Sequence, residues 1–95
     1  MTYAESQFSN VVFPTIHLNG NDGQKLGQQY FDAVQALEKF RDVFNKIEFH
    51  SRDYYVQGDG AFNKAQLQRW DIHNHITAIS EYLESHASHC FESAR

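Results

Sequence analysis

The sequence predicts an all-α fold: an antiparallel αα-hairpin behind an extended N-terminal arm, oligomerising into a helical bundle. Three observations carry this reading. Apolar residues recur at alternating steps of three and four over residues 26–47 and again over residues 62–90. Between them His50 to Gly60 breaks the pattern with glycine, aspartate and a tyrosine pair. Finally, the one short extended pattern near the N-terminus has no second such segment in the chain with which to pair.

A chain of 95 residues makes one domain and buries only about two-thirds of its unfolded surface, so it gains from association. Twelve acidic against eight basic residues give a formal charge of −4, which argues against a nucleic-acid partner. No run approaches the roughly 18 apolar residues of a membrane span, and the charged-then-apolar order of a signal peptide is missing. A single cysteine, Cys90, forms no internal disulfide. Together these predict a soluble, cytoplasmic protein with no membrane partner.

Residues 1–20 are expected to form the arm. The first ten are polar and unpatterned; Val11-Val12-Phe13 is then cut by Pro14, and Thr15-Ile16-His17-Leu18 alternates. Pro14 lacks a backbone donor, so the segment reads as an arm packed along the helices and not as a central strand. Residues 21–95 form the hairpin. Asn19-Gly20-Asn21-Asp22-Gly23 breaks the chain, and Asn21 or Asp22 caps a first helix over about 22–49. Its seam is Leu26, Tyr30, Ala33, Leu37, Phe40, Phe44 and Ile47, with Val34 widening the stripe. A second helix over about 60–90, with Asp59 as the expected cap, carries Phe62, Ala65, Arg69, Ile72, Ile76, Ile79, Leu83, His86 and Cys90. Arg69 is the one charge in that seam. Two helices alone do not bury so many large apolar groups, so a second copy is the simplest closure.

Two stretches hold the candidate ligand-binding residues. The first is His17, Asn19, Gly20 and Asn21 ahead of the first helix, where unpaired amides and the helix dipole favour an anion. Ordinary capping explains the same residues, and Asp22 stands there to repel an anion. The second is Arg52, Asp53, Tyr54 and Tyr55 at the bend. There the guanidinium offers a fork for phosphate or carboxylate, the tyrosines offer faces for a base, and Asp53 offers an acceptor. The plainer account makes the tyrosines a cover for the end of the hairpin. A helix of this length puts the two stretches at opposite ends of one chain. An antiparallel pair of hairpins would therefore build composite pockets between subunits.

His86, His89 and Cys90 share one helix tail, but no second cluster at finger-like spacing accompanies them, and His86 and Cys90 lie on the apolar seam. The expectation is no metal and no cofactor. No paired-carboxylate, nucleophile-elbow or zinc-protease pattern is present, so the protein reads as a non-enzyme.

Ile16-His17-Leu18-Asn19-Gly20 before a helix, with Arg52-Asp53-Tyr54-Tyr55-Val56-Gln57-Gly58 at the bend, resembles a group of small helical proteins encoded in bacteriophage and prophage genomes. The resemblance spans residues 16 to about 87. It departs from the group at Asn21, where threonine is usual, so a hydroxyl available to an anion is missing. It implies a phage accessory protein in the host cytoplasm and supplies no activity or ligand. With the residues read above, the expected function is sequestration of a small anionic or nucleotide ligand at subunit interfaces, blunting a host defence. The alternatives are a module that occupies a host protein, or a virion or replication scaffold component.

Overall fold

The computed structural model describes residues 11–94. Two helices, α1 (Gly23–Asn45) and α2 (Ala61–Ser93), account for most of them, and no strand occurs among the described residues. The helices run antiparallel. Gly23 approaches Cys90 and Ala94, Tyr30 meets His86 and Phe44 meets His73, so residues rising along α1 match residues falling along α2. Residues 46–60 join them through two short 3-10 turns, Ser51–Asp53 and Tyr55–Gln57. Residues 1–10 of the expected arm lie outside the described residues.

Asp22 caps α1, its carboxylate accepting from the Gln24 amide at 3.0 Å. The expected end near residue 49 is four residues too late. The amides of Lys46 and Ile47 turn back to the carbonyls of Val43 and Phe44, both at 3.1 Å, which tightens and closes the helix at Asn45. A side chain of α2 also donates to the carbonyls of Phe44, at that end, and Ile47, just beyond it. Asp59 does not cap α2. Gly60 holds that position with φ 89°, a left-handed conformation that costs glycine little, and no side chain caps the helix.

The interhelical contact is centred off the predicted seam. Gly23, Gly27 and Val34 are the buried residues of α1. Small residues let α2 come close: a Cβ on Gly23 would lie 2.8 Å from the Cys90 carbonyl oxygen, and one on Gly27 would lie 2.8 Å from the Phe91 ring. On α2 the buried residues include Ile76, His86, Ala87 and Cys90. Rotating the contact toward these positions leaves part of the seam uncovered. Phe40, Val43 and Ile47 on one side, and Ile72 and Ile79 on the other, stay 41–55 % exposed. At 3.6 residues per turn, and with the helices antiparallel, Phe40, Ile47, Ile72 and Ile79 project to one side of the contact, whereas Val43, nine residues from the buried Val34, points away from it. Those four form an apolar strip along one flank.

The result is long and thin, 61 × 25 × 19 Å, with a radius of gyration of 18.2 Å. A compact domain of this length has a radius of about 12 Å. Two helices in one layer cannot enclose a core that both of them surround.

Candidate functional site

The eight expected ligand-binding residues fall into two groups at the two ends of the hairpin. At the arm end, His17 closes a turn: its carbonyl accepts the Gly20 amide at 3.1 Å and its Nδ1 accepts the Asn19 amide at 3.3 Å. The ring lies against Gly20, where a Cβ would come within 2.9 Å of Nε2 and push the exposed His17 ring aside. The two amides expected to face an anion therefore face His17. Asn19, Gly20, Asn21 and Leu18 are exposed, Leu18 completely. Beside this turn a cleft of about 510 Å³ runs from Ile16 to Gly23 on one side and to Ser93 and Ala94 on the other.

At the bend, the first 3-10 turn carries Arg52 and Asp53 outward, and among the described residues neither side chain has an ion pair or hydrogen bond. The tyrosine pair divides. Tyr54 turns in, with its ring 5.5 Å from Phe49 and 5.8 Å from Phe62, and those two stack at 5.0 Å. This is the plainer role of closing the hairpin. Tyr55 turns out and is 69 % exposed, as is Val56 at 78 %. Only Tyr55 presents a free face. Gly58, at φ 106°, and Gly60 then swing the chain into α2.

The 23 residues of α1 span about 35 Å, so His17, Asn19, Gly20 and Asn21 do not meet Arg52, Asp53, Tyr54 and Tyr55 within one chain. Sequence reasoning anticipated that separation. It did not anticipate Arg69. The guanidinium donates through Nη2 to the carbonyls of Phe44 and Ile47, both at 3.3 Å, and lies 4.9 Å and 5.0 Å from the ring centroids of Phe44 and Phe49. A lone arginine in a seam facing a helix end that lacks a glycine cap was the available signal. Next to it a cleft of about 640 Å³ opens toward the apolar strip and includes Ile47 and Ile72.

The histidine and cysteine tail of α2 serves packing. His86 is enclosed, its Nδ1–H donating to the Tyr82 carbonyl at 2.9 Å, with the rings of Phe13, Tyr30 and Tyr82 within 4.8 Å. His89 stacks on Phe13 and donates through Nε2 to the Pro14 carbonyl at 2.7 Å. Burial pushes the Cys90 thiol up. Burial, and then the neighbouring Tyr82 and Cys90, push the Tyr30 hydroxyl up as well. Among the described residues no three His, Cys, Asp or Glu side chains converge on a metal position, and no helix is long and apolar enough to cross a membrane.

No family model, no curated protein and no solved structure matches this chain. The geometry thus defines the class alone: an all-helical hairpin with an apolar flank and polar, aromatic ends.

Proposed function

We propose that this chain is a non-enzymatic binding protein, a phage accessory factor that pairs with itself and holds a small anionic or nucleotide ligand between copies. The observation that carries the reading is the pairing at the bend of an exposed Arg52, which has no ion pair or hydrogen bond among the described residues, with an exposed Tyr55 three residues on. A planar cation with an exposed ring suits a phosphate attached to a base. Neither the cleft beside Ile47 and Ile72 nor the smaller one of about 370 Å³ between Tyr54 and Lys64 includes Arg52 or Tyr55, and the polar turn of His17, Asn19, Gly20 and Asn21 lies at the far end of the same chain.

Antiparallel pairing along the apolar flank supplies the missing half. Each bend then sits beside the partner's polar turn, so each pocket has Arg52 and Tyr55 from one copy and the Asn19 and Asn21 side chains from the other. Because the Asn19 and Gly20 amides are occupied by His17, the side-chain amides are the donors available to the ligand. Asp53 would orient Arg52 once the ligand is bound. Withholding a nucleotide signal without altering it would blunt a host defence that depends on that signal.

A thermal-shift screen against mono-, di- and cyclic nucleotides tests this directly. At about a hundred times its Kd, a ligand adds roughly 2.7 kcal/mol of stability. For a chain this size that raises Tm by on the order of 10 °C. Arg52→Ala should abolish the shift, and denaturation should release the ligand intact. Mixing Arg52→Ala chains with chains changed at Asn19 and Asn21 should restore one site per pair. No shift with any nucleotide sinks the reading.

A second reading has its own observation. Leu67 and Trp70 are 67 % and 65 % exposed, three residues apart on a face of α2 turned away from α1. Such an anchor pair fits a protein-interaction module that occupies a host protein. Trp70→Ala would abolish capture by the host target there and leave nucleotide stabilisation untouched.

A further inference from the structure

The apolar strip and the two ends of the hairpin carry a more specific relationship. A compact monomer of 11.1 kDa exposes about 5,700 Å². This chain exposes 7035 Å². The excess is larger than the roughly 800 Å² that each partner buries in a standard interface. Within the flank, the cleft at the bend end is walled by Phe44, Ile47, Phe49, Tyr54, Ala65 and Ile72. Glu48, Gln68, Arg69 and Asp71 also line it. At the opposite end Leu18 stands clear of its own chain, 102 % exposed, on a turn pinned by the His17 hydrogen bonds.

Ile72 lines the bend cleft and Ser93 the cleft beside Leu18; Ile79 and His86 lie between them at intervals of seven along α2, Ile79 exposed and His86 buried under Phe13. Seven residues are nearly two helical turns, so these positions share one stripe.

We propose that the bend cleft is a socket for Leu18 of a second copy of this chain. The proposal rests on the antiparallel pairing argued above and fixes its register. Leu18 lies about 35 Å of helix away from its own socket and cannot fill it. A two-fold axis through the flank sets each arm end against the partner's bend, so two equal contacts form and each chain gives one side chain and receives one. The isobutyl group suits walls made of Phe44, Ile47 and Ile72. The same register carries the partner's Asn19 and Asn21, one and three residues beyond Leu18, toward Arg52 and Tyr55. Specificity for a self-partner then comes from shape, and the ligand pocket is a consequence of seating the leucine.

Cross-linking tests the register. A chain with Leu18→Cys is mixed with a tagged chain carrying Gln68→Cys, a lining residue of the socket, both in a Cys90→Ala background, and oxidised mildly. Cysteines more than about 7 Å apart do not bridge, so no disulfide forms between these positions within one chain. A mixed disulfide dimer is the expected product. Leu18→Asp in the otherwise unaltered chain should turn the dimer into monomer by light scattering, with helix content unchanged by circular dichroism. A dimer that gives no mixed disulfide and survives Leu18→Asp overturns the socket while leaving a paired protein able to bind ligand. A monomer at tens of micromolar overturns the pairing itself, leaves the cleft to a different polypeptide, and removes the composite ligand pocket with it.

Discussion

Arg69 donates to the main-chain oxygen of Phe44 at 3.3 Å while its guanidinium lies 4.9 Å from the centroid of that same residue's ring. The second helix thereby caps the first and covers the ring next to the cap. A charged residue inside an apolar seam is costly unless its donors are used. Here one nitrogen reaches two carbonyls at the negative end of the α1 dipole, those of Phe44 and Ile47. Arg69→Met keeps the stem and removes the donors and the charge. It should cost about 2 kcal/mol, read as a fall in urea midpoint at constant slope. Arg69→Lys should recover less than half of that, since an ammonium does not combine two carbonyl bonds with ring stacking. Equal stability of Arg69→Met and the parent would show that solvent caps α1 equally well.

Gly23 and Gly27 make the opposite kind of statement about helices. Alanine is favoured over glycine by up to about 1 kcal/mol in a helix interior, so propensity alone predicts that both substitutions stabilise. Packing predicts the reverse. The added methyl at Gly23 would meet a backbone oxygen, that of Cys90, and the Ala94 methyl, both at 2.8 Å, and backbone cannot move aside cheaply. Gly23→Ala should lower stability by about 2 kcal/mol. At Gly27 the obstacle is the half-buried Phe91 ring, which can swing, so Gly27→Ala should cost less. Thermal unfolding of the two variants side by side decides this; a gain at Gly23 would mean the helices sit farther apart.

The two helices were legible in the sequence because alternating three- and four-residue spacing survives in both, from Leu26 and from Phe62. Their exact contact was not. Apolar periodicity locates a stripe, but the buried centre of α1 belongs to Gly23, Gly27 and Val34, and glycine contributes nothing to a hydrophobic pattern. The end of α1 was misplaced because its capping group, Arg69, is 25 residues away in sequence. At the bend, Tyr54 and Tyr55 are neighbours in sequence and opposite in role. The 3-10 turns that send one ring inward and the other outward have no apolar period from which to read them. His17 was expected to bind a ligand together with the Asn19 and Gly20 amides; its ring instead takes the Asn19 amide, a local bond that no spacing rule encodes.

His89 should govern how firmly residues 11–16 are held. It stacks on Phe13 with ring planes 15° apart and bonds the Pro14 carbonyl at 2.7 Å, so one side chain grips two consecutive residues. His89→Leu removes the bond and the stacking while keeping an apolar group. Local opening governs proteolysis at such a segment. Cleavage by a protease within residues 11–16 should become about tenfold faster, the equivalent of roughly 1.4 kcal/mol, while α1 is cut no faster. An unchanged cleavage rate there would mean that Phe13 is held by His86 without help from His89.

Alkaline pH should loosen the fold through Cys90 and Tyr30. Burial raises the Cys90 thiol above its ordinary value of 9.0, and burial first, then Tyr82 and Cys90, raise Tyr30 above 10.0. Both groups are neutral in the folded chain, so folding holds on to protons that the unfolded chain gives up earlier. Stability is therefore fully present below about pH 9 and declines as pH climbs through the raised folded values, with the unfolded state binding fewer protons in that window. Urea midpoints measured at intervals from pH 7 to about 10.5 should be level at first and then fall. Cys90→Ala should remove the earlier part of that decline, and a thiol reagent should react with native protein far more slowly than with protein in urea, because the Cys90 side chain is 0 % exposed. A midpoint that does not move between about pH 8 and 10.5 would show that these two groups ionise inside the folded chain as easily as outside it.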